Sequence, residues 1–229
     1  MISLQRVAIM AEMHGRDLTR RHVALALLIA LPLAFYLTSI GSSGAVPLIA
    51  GGIGMAFSVS GATLFSVLSS EEVDQRLVLG GYRPLELLLG RMAFLGPLGL
   101  LVGAGFSILM WLVTDPLRPW VMALGVAVVA LQSIPFGLAV GAAVPRELEG
   151  TLVLIGVVGM QLAMDPDAAV AKVLPFHGAG RLFESAVVPD GPVLVPVVQT
   201  ALYGLALLLV ARVFLVRRLA VQHHAGITA

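Results

Sequence analysis

The sequence predicts an all-α, polytopic membrane protein: a single transmembrane domain over residues 1–229 with about six spans. Three observations carry that prediction. The chain is 59% hydrophobic and only 12% charged, with a mean hydropathy of +0.99. A soluble domain carries about 25% charged residues. Long apolar runs alternate with short polar breaks. Arginines concentrate in alternate breaks, as the positive-inside rule requires. The net charge of +1 gives no basic field for nucleic acid, and the absence of cysteine excludes disulfides, thiolate metal sites and cysteine catalysis.

Residues 1–21 are polar and mixed in charge. Leu4, Val7, Ile9, Met10 and Met13 recur at near-helical spacing among Arg6, Glu12, Arg16 and Asp17. The pattern predicts an interfacial helix along the inner leaflet; a frayed tail is the plain alternative. Arg20, Arg21 and His22 mark the inner boundary of a first span, 23–40. That apolar run follows a polar stretch and is long enough to cross, so no cleavable signal peptide is expected. Residues 41–44 form a tight outer turn. The second span, 46–68, is rich in small and hydroxyl residues, including Gly54, Ser58, Ala62 and Thr63. Small residues let helices approach closely, and hydroxyls bond across them. Packing accounts for most of them; the functional alternative is that some hydroxyls line a pathway.

Residues 69–91 read SSEEVDQRLVLGGYRPLELLLGR and hold the densest charge in the chain. Each charge at the centre of a span costs about 2.5–3.5 kcal/mol, so this stretch is a loop in water. Gly80-Gly81 permits a sharp turn. Pro84 suits the first turn of a helix, where its missing N–H is no loss. The expected product is a short amphipathic helix at the membrane surface, starting at Pro84.

The third span, 92–113, carries Gly99 and Gly103 in GxxxG spacing. The fourth, 120–143, places Gln132, Ser133 and Pro135 near mid-membrane, and Pro135 frees a carbonyl. The fifth, 151–164, is brief for a crossing. Residues 165–192 read as one or two short helices dipping into the outer leaflet, or as a plain outer loop. The sixth span, 193–216, ends at Arg217 and Arg218, and 220–229 form a polar tail. With the N-terminus inside, the inner side holds Arg6, Arg16, Arg20, Arg21, Arg76, Arg83, Arg91, Arg146, Arg217 and Arg218, against Arg118, Lys172 and Arg181 outside. Both termini and the 69–91 loop are therefore expected in the cytoplasm, and the protein in the inner membrane of a prokaryote.

No GxxxxGK[ST] pattern occurs, so the chain is not expected to hydrolyse ATP by that route. No HExxH occurs, and His223-His224 reads as a solvated tail pair; no metal site and no catalytic residue is predicted. No acidic residue sits in mid-membrane, which argues against a proton-coupled carrier. No internal repeat is visible, which argues against inverted-repeat transporters.

The order of elements resembles the membrane subunit of type-2 class ABC exporters. The specific part is the inner loop: Glu71-Glu72, then GYRPLELLLGR over 81–91. The family more often has Arg-Glu-x-Gly-Thr where this chain has Val73-Asp74-Gln75-Arg76. The resemblance implies a cytoplasmic coupling helix that docks in a groove of a separate ABC ATPase. Its contact residues would be Glu71, Glu72, Asp74, Arg76, Gly81, Tyr82, Arg83, Pro84, Leu85 and Glu86. It implies no cofactor in this chain; ATP and Mg belong to the ATPase. It also implies a second permease subunit, identical or not, and the haem-export permease of cytochrome c maturation is a related member. Few charges and several hydroxyls and amides point to a hydrophobic or amphipathic substrate. Ser58, Thr63 and Gln161, on the second and fifth spans, are the expected path-lining residues. An ATP-independent carrier or channel, or an intramembrane enzyme or scaffold, are the rival readings.

Overall fold

The computed structural model describes residues 3–20, 22–144 and 146–225, without the side chains of 20, 23, 24 and 220–225. Arg21 of the expected inner boundary, the His223-His224 side chains and residues 226–229 of the expected tail lie outside the described residues. Among the described residues there are nine α-helices and no strand. They are α1 (Leu4–Arg20), α2 (His22–Leu37), α3 (Val46–Ser69), α4 (Glu71–Leu79) and α5 (Pro84–Thr114). Then follow α6 (Pro119–Ala143), α7 (Glu147–Ala163), α8 (His177–Ala186) and α9 (Leu194–Ala225), with a 3-10 turn at Ala171–Val173 before α8.

Four helices are long and apolar enough to cross a membrane: α3, α5, α6 and the Leu194–Leu219 part of α9. That fits a membrane protein. The sequence predicts two more spans, and α2 and α7 occupy their places, but they have 16 and 17 residues. At 1.5 Å per residue they are about 24–26 Å long, short of the roughly 30 Å hydrocarbon layer. Helix α2 stops before the turn at 38–45, where Gly44 takes φ +65°. Helix α7 stops at Met164, whose extended backbone leads into Asp165-Pro166.

Helices α3 and α6 form the centre, and α5 and α9 flank them: 72% of the apolar window is buried in each central helix, against 28% and 22% in the flanking pair. The central pair approaches closely at Gly137. A Cβ there would overlap the Ser60 carbonyl and lie 2.7 Å from Thr63 Cβ. Helix α7 packs along α3, with Gly150 against Leu64. Residues 165–192 fold into the 3-10 turn and the single helix α8. Its Phe183 is 1% exposed and seats against Gly52 of α3 and Gly125 of α6. Helix α1 does dock as an amphipathic helix: Met10 is buried against Gly90, and Gly15 faces Phe94, both on α5.

The main departure from expectation lies in 69–91. Pro84 does begin a helix, but that helix is not a separate short one. It runs unbroken for 31 residues as α5. Gly90 and Arg91 do not end it, because one interior glycine costs only about 1 kcal/mol and an apolar surround demands that backbone groups stay paired. The short helix outside the bundle is instead α4, nine residues immediately after α3.

Candidate docking site at the charged end

Helix α4 owes its existence to its termini. Glu71, Glu72 and Asp74 fill its first turn, where negative charge complements the helix dipole. At its other end the Tyr82 N–H donates to Leu77 O at 3.0 Å and the Gly81 N–H to Val78 O at 3.0 Å. This is the Schellman arrangement, and it places Gly81 at φ +89°, a region that favours glycine. The next helix starts at once. Glu86 at the third position of α5 accepts a hydrogen bond from the Arg83 N–H at 3.0 Å, closing the first turn.

Four side-chain ties then clamp α4 and its loop to the bundle. Arg91 of α5 donates to Asp74 at 2.5 Å and to the Ser70 hydroxyl at 2.5 Å. Arg91 is 0% and Asp74 2% exposed. Burial pushes the Asp74 carboxyl above its ordinary value, while the adjacent Arg91 guanidinium pulls it down. Arg218 of α9 makes a two-pronged pair with Glu71 and donates to the Gly141 carbonyl of α6 at 3.1 Å. Arg6 of α1 donates to the Gly81 carbonyl at 2.6 Å and stacks over Tyr82 with its guanidinium 4.9 Å from the ring centre. Glu86 accepts the Ser3 N–H at 2.9 Å, and its carboxylate lies 3.6 Å from Arg6. So α1, α5 and α9 all hold one nine-residue helix and its turn, and α6 braces Arg218.

These ties sort the docking residues expected from sequence. Glu71, Asp74 and Glu86 are spent inside the chain. Gly81 stays exposed although its carbonyl accepts from Arg6, Tyr82, Pro84 and Leu85 are half-buried, and Leu87 and Leu88 are fully inside. Glu72, Arg76 and Arg83 remain exposed. Two residues not expected join them: Val73 is 41% and Leu79 70% exposed. Glu72, Val73, Arg76 and Leu79 lie at helical spacing on the outward face of α4. That spacing was legible once Gly80-Gly81 is read as a helix end rather than as the middle of a motif. The partners Arg218, Arg6 and Ser3, distant in sequence, carried no local signal.

The three expected path residues are not brought together. Ser58 is 5% exposed, its hydroxyl has no partner, and it lies on a groove of about 360 Å³ between α2, α3 and α7. Thr63 is wholly buried between α3 and α6 and donates to the Val59 carbonyl of its own helix at 2.7 Å. Thr63 belongs to the close contact between α3 and α6 at Gly137. Gln161 lines a separate small cavity of about 30 Å³ with His177, Arg181 and Glu184, towards the far end of the bundle.

Beside the clamp, His14 of α1 faces a cavity of about 110 Å³ with Asp17, Ser66 and Phe94. Burial first, then the nearby Arg91 charge, lowers its pKa to about 4, with Asp17 opposing. Among the described residues no group of three or more His, Asp or Glu could hold a metal ion.

The fold and this end together define an all-helical chain with apolar spans and one surface helix held outside them. No protein-family model and no characterised protein matches the chain.

Proposed function

We propose that the chain is the permease subunit of an ATP-driven exporter, docking a separate P-loop ATPase at its charged end. That end faces the cytoplasm in this reading, as the arginine distribution requires. A second permease subunit completes the translocation path, and the cargo is hydrophobic or amphipathic. The observation that carries the reading is the clamped α4. A helix meant only to join two spans needs no buried ion pair. A helix that receives force from a soluble machine must be rigidly joined to the spans, and α4 is tied to α5 by Asp74–Arg91 and to α9 by Glu71–Arg218. Its outward face carries Glu72 and Arg76 flanked by the exposed side chains of Val73 and Leu79, a mixed charged and apolar surface. The groove beside Ser58 supplies a path-facing surface of matching apolar character.

The test is co-expression with any P-loop ATPase found encoded beside this chain. The variant Val73→Asp/Leu79→Asp changes only exposed positions, so the bundle keeps its fold. It is expected to lower co-purified ATPase about tenfold, as loss of apolar contacts worth about 1–2 kcal/mol would. Unchanged co-purification, or the absence of any such ATPase, overturns the reading.

A further inference from the structure

A second groove, of about 480 Å³, runs along the opposite face between α5, α6 and α9. Its size is within the usual range for a small-molecule site. Its lining is apolar and carries no charged side chain; the polar members are Gln132 and Thr200. Thr200 is satisfied, donating to the Pro196 carbonyl of α9 at 2.9 Å. Gln132 is not. It is 4% exposed, its amide nitrogen is buried without a partner, and its amide oxygen packs against bare Gly204 at the wall of the groove. A Cβ at 204 would lie 2.6 Å from that oxygen. One residue earlier, the Leu131 carbonyl lies on the same helix, and Pro135 has no N–H to give it. In hydrocarbon an unmatched amide costs several kcal/mol, and the Leu131 carbonyl lacks its usual i+4 donor.

We infer that this groove binds an elongated, uncharged amphiphile whose head group both donates and accepts a hydrogen bond, a hydroxyl or a primary amide. The head sits between the Gln132 amide and the Leu131 carbonyl, and the apolar tail lies along α9 past Leu208. Two features select that chemistry. The amide needs a donor for its oxygen and an acceptor for its nitrogen, which a hydrocarbon tail cannot supply. An anion or cation finds no counter-charge in the lining. The inference stands on this groove alone and does not depend on the transport reading, whose path lies beside α2, α3 and α7.

The experiment uses the full chain in lipid nanodiscs with two photoreactive probes: a diazirine-bearing hexadecanol and the same chain without the hydroxyl. Labelled peptides are read by mass spectrometry. The alcohol should label 128–135 and 197–208 saturably, with competition by unlabelled hexadecanol but not by hexadecane. Gln132→Leu should lower that labelling about three- to tenfold, the worth of one or two net hydrogen bonds. Gly204→Leu, which fills the groove, should abolish it. Equal labelling by both probes in the unaltered chain overturns the inference and leaves the groove to bilayer chains, whatever the variants do. Alcohol labelling undiminished in a folded Gln132→Leu overturns it equally.

Discussion

The two ends of the bundle are held by different chemistry. At the charged end, acids and arginines from separate helices pair with one another: Asp74 with Arg91, Glu71 with Arg218, Glu86 near Arg6. At the far end, Arg118 reaches backbone instead. It donates to the Gly191 carbonyl at 2.8 Å and the Ser185 carbonyl at 3.4 Å, and lies over Trp120 with its guanidinium 5.1 Å from the ring centre. The Tyr36 and Thr114 hydroxyls join α2 to α5 there. The remaining far-end ion pairs, Arg181 with Asp167 and Glu184, are partly solvated. A buried ion pair has one good geometry and penalises departure from it. A guanidinium on carbonyls can exchange one carbonyl for another. The charged end is thus expected to behave as a block, and the far end to yield locally.

The largest break in this comparison should come from Arg91→Leu. It strands Asp74 in a site that is 2% exposed. Removing one partner of a buried pair costs about 3–5 kcal/mol, read as a loss of thermal stability in detergent. The double variant Asp74→Leu/Arg91→Leu should recover most of that loss. If it does not, the pair is more than an electrostatic match and the block picture needs another cause.

A smaller effect is expected from Arg118→Ala, about 1–3 kcal/mol for two lost carbonyl bonds and a ring contact. It should appear locally, as faster hydrogen exchange across 177–191 with α4 unaffected. Loosening of both ends together would show that they are not independent.

The smallest effect is a pH dependence of α1. His14 is lowered from 6.5 to about 4 in the folded chain, so the unfolded chain binds the extra proton between those values. The docking stability of α1 is therefore complete above about pH 6.5 and falls as pH drops toward 4, by at most about 1.4 kcal/mol per pH unit. Exchange of α1 amides, corrected for the intrinsic effect of pH, should rise accordingly in this window. His14→Leu should flatten the profile; a profile that keeps its slope assigns it to another group.

Much of this architecture was legible in the residues. The apolar runs of α3, α5, α6 and α9, the amphipathic stripe of α1 and the turn at Gly80-Gly81 all follow from local pattern. The division of labour within 69–91 did not. Leu85 to Leu89 look like a docking surface in sequence, because an amphipathic stretch does not say which body covers its apolar face. Here α1 covers it, through Met10 against Gly90. Thr63 and Ser58 are five residues apart and chemically alike. Only the approach of Gly137 decides that one is sealed between helices while the other meets a groove.

The length of α5 has a consequence for the bilayer. Thirty-one residues make a rod of about 46 Å, while the hydrocarbon layer is about 30 Å thick. The excess is taken up by the first two turns, where Glu86 and Arg91 sit, and by tilt of the apolar remainder, itself about 34 Å. The tilt of that remainder depends on the thickness of the surrounding lipid. Because Arg91 is bonded to Asp74, any change in tilt swings α4 with it. Reconstituted into lipids of shorter or longer chains, the same protein is expected to present its surface helix at a different angle to the membrane plane.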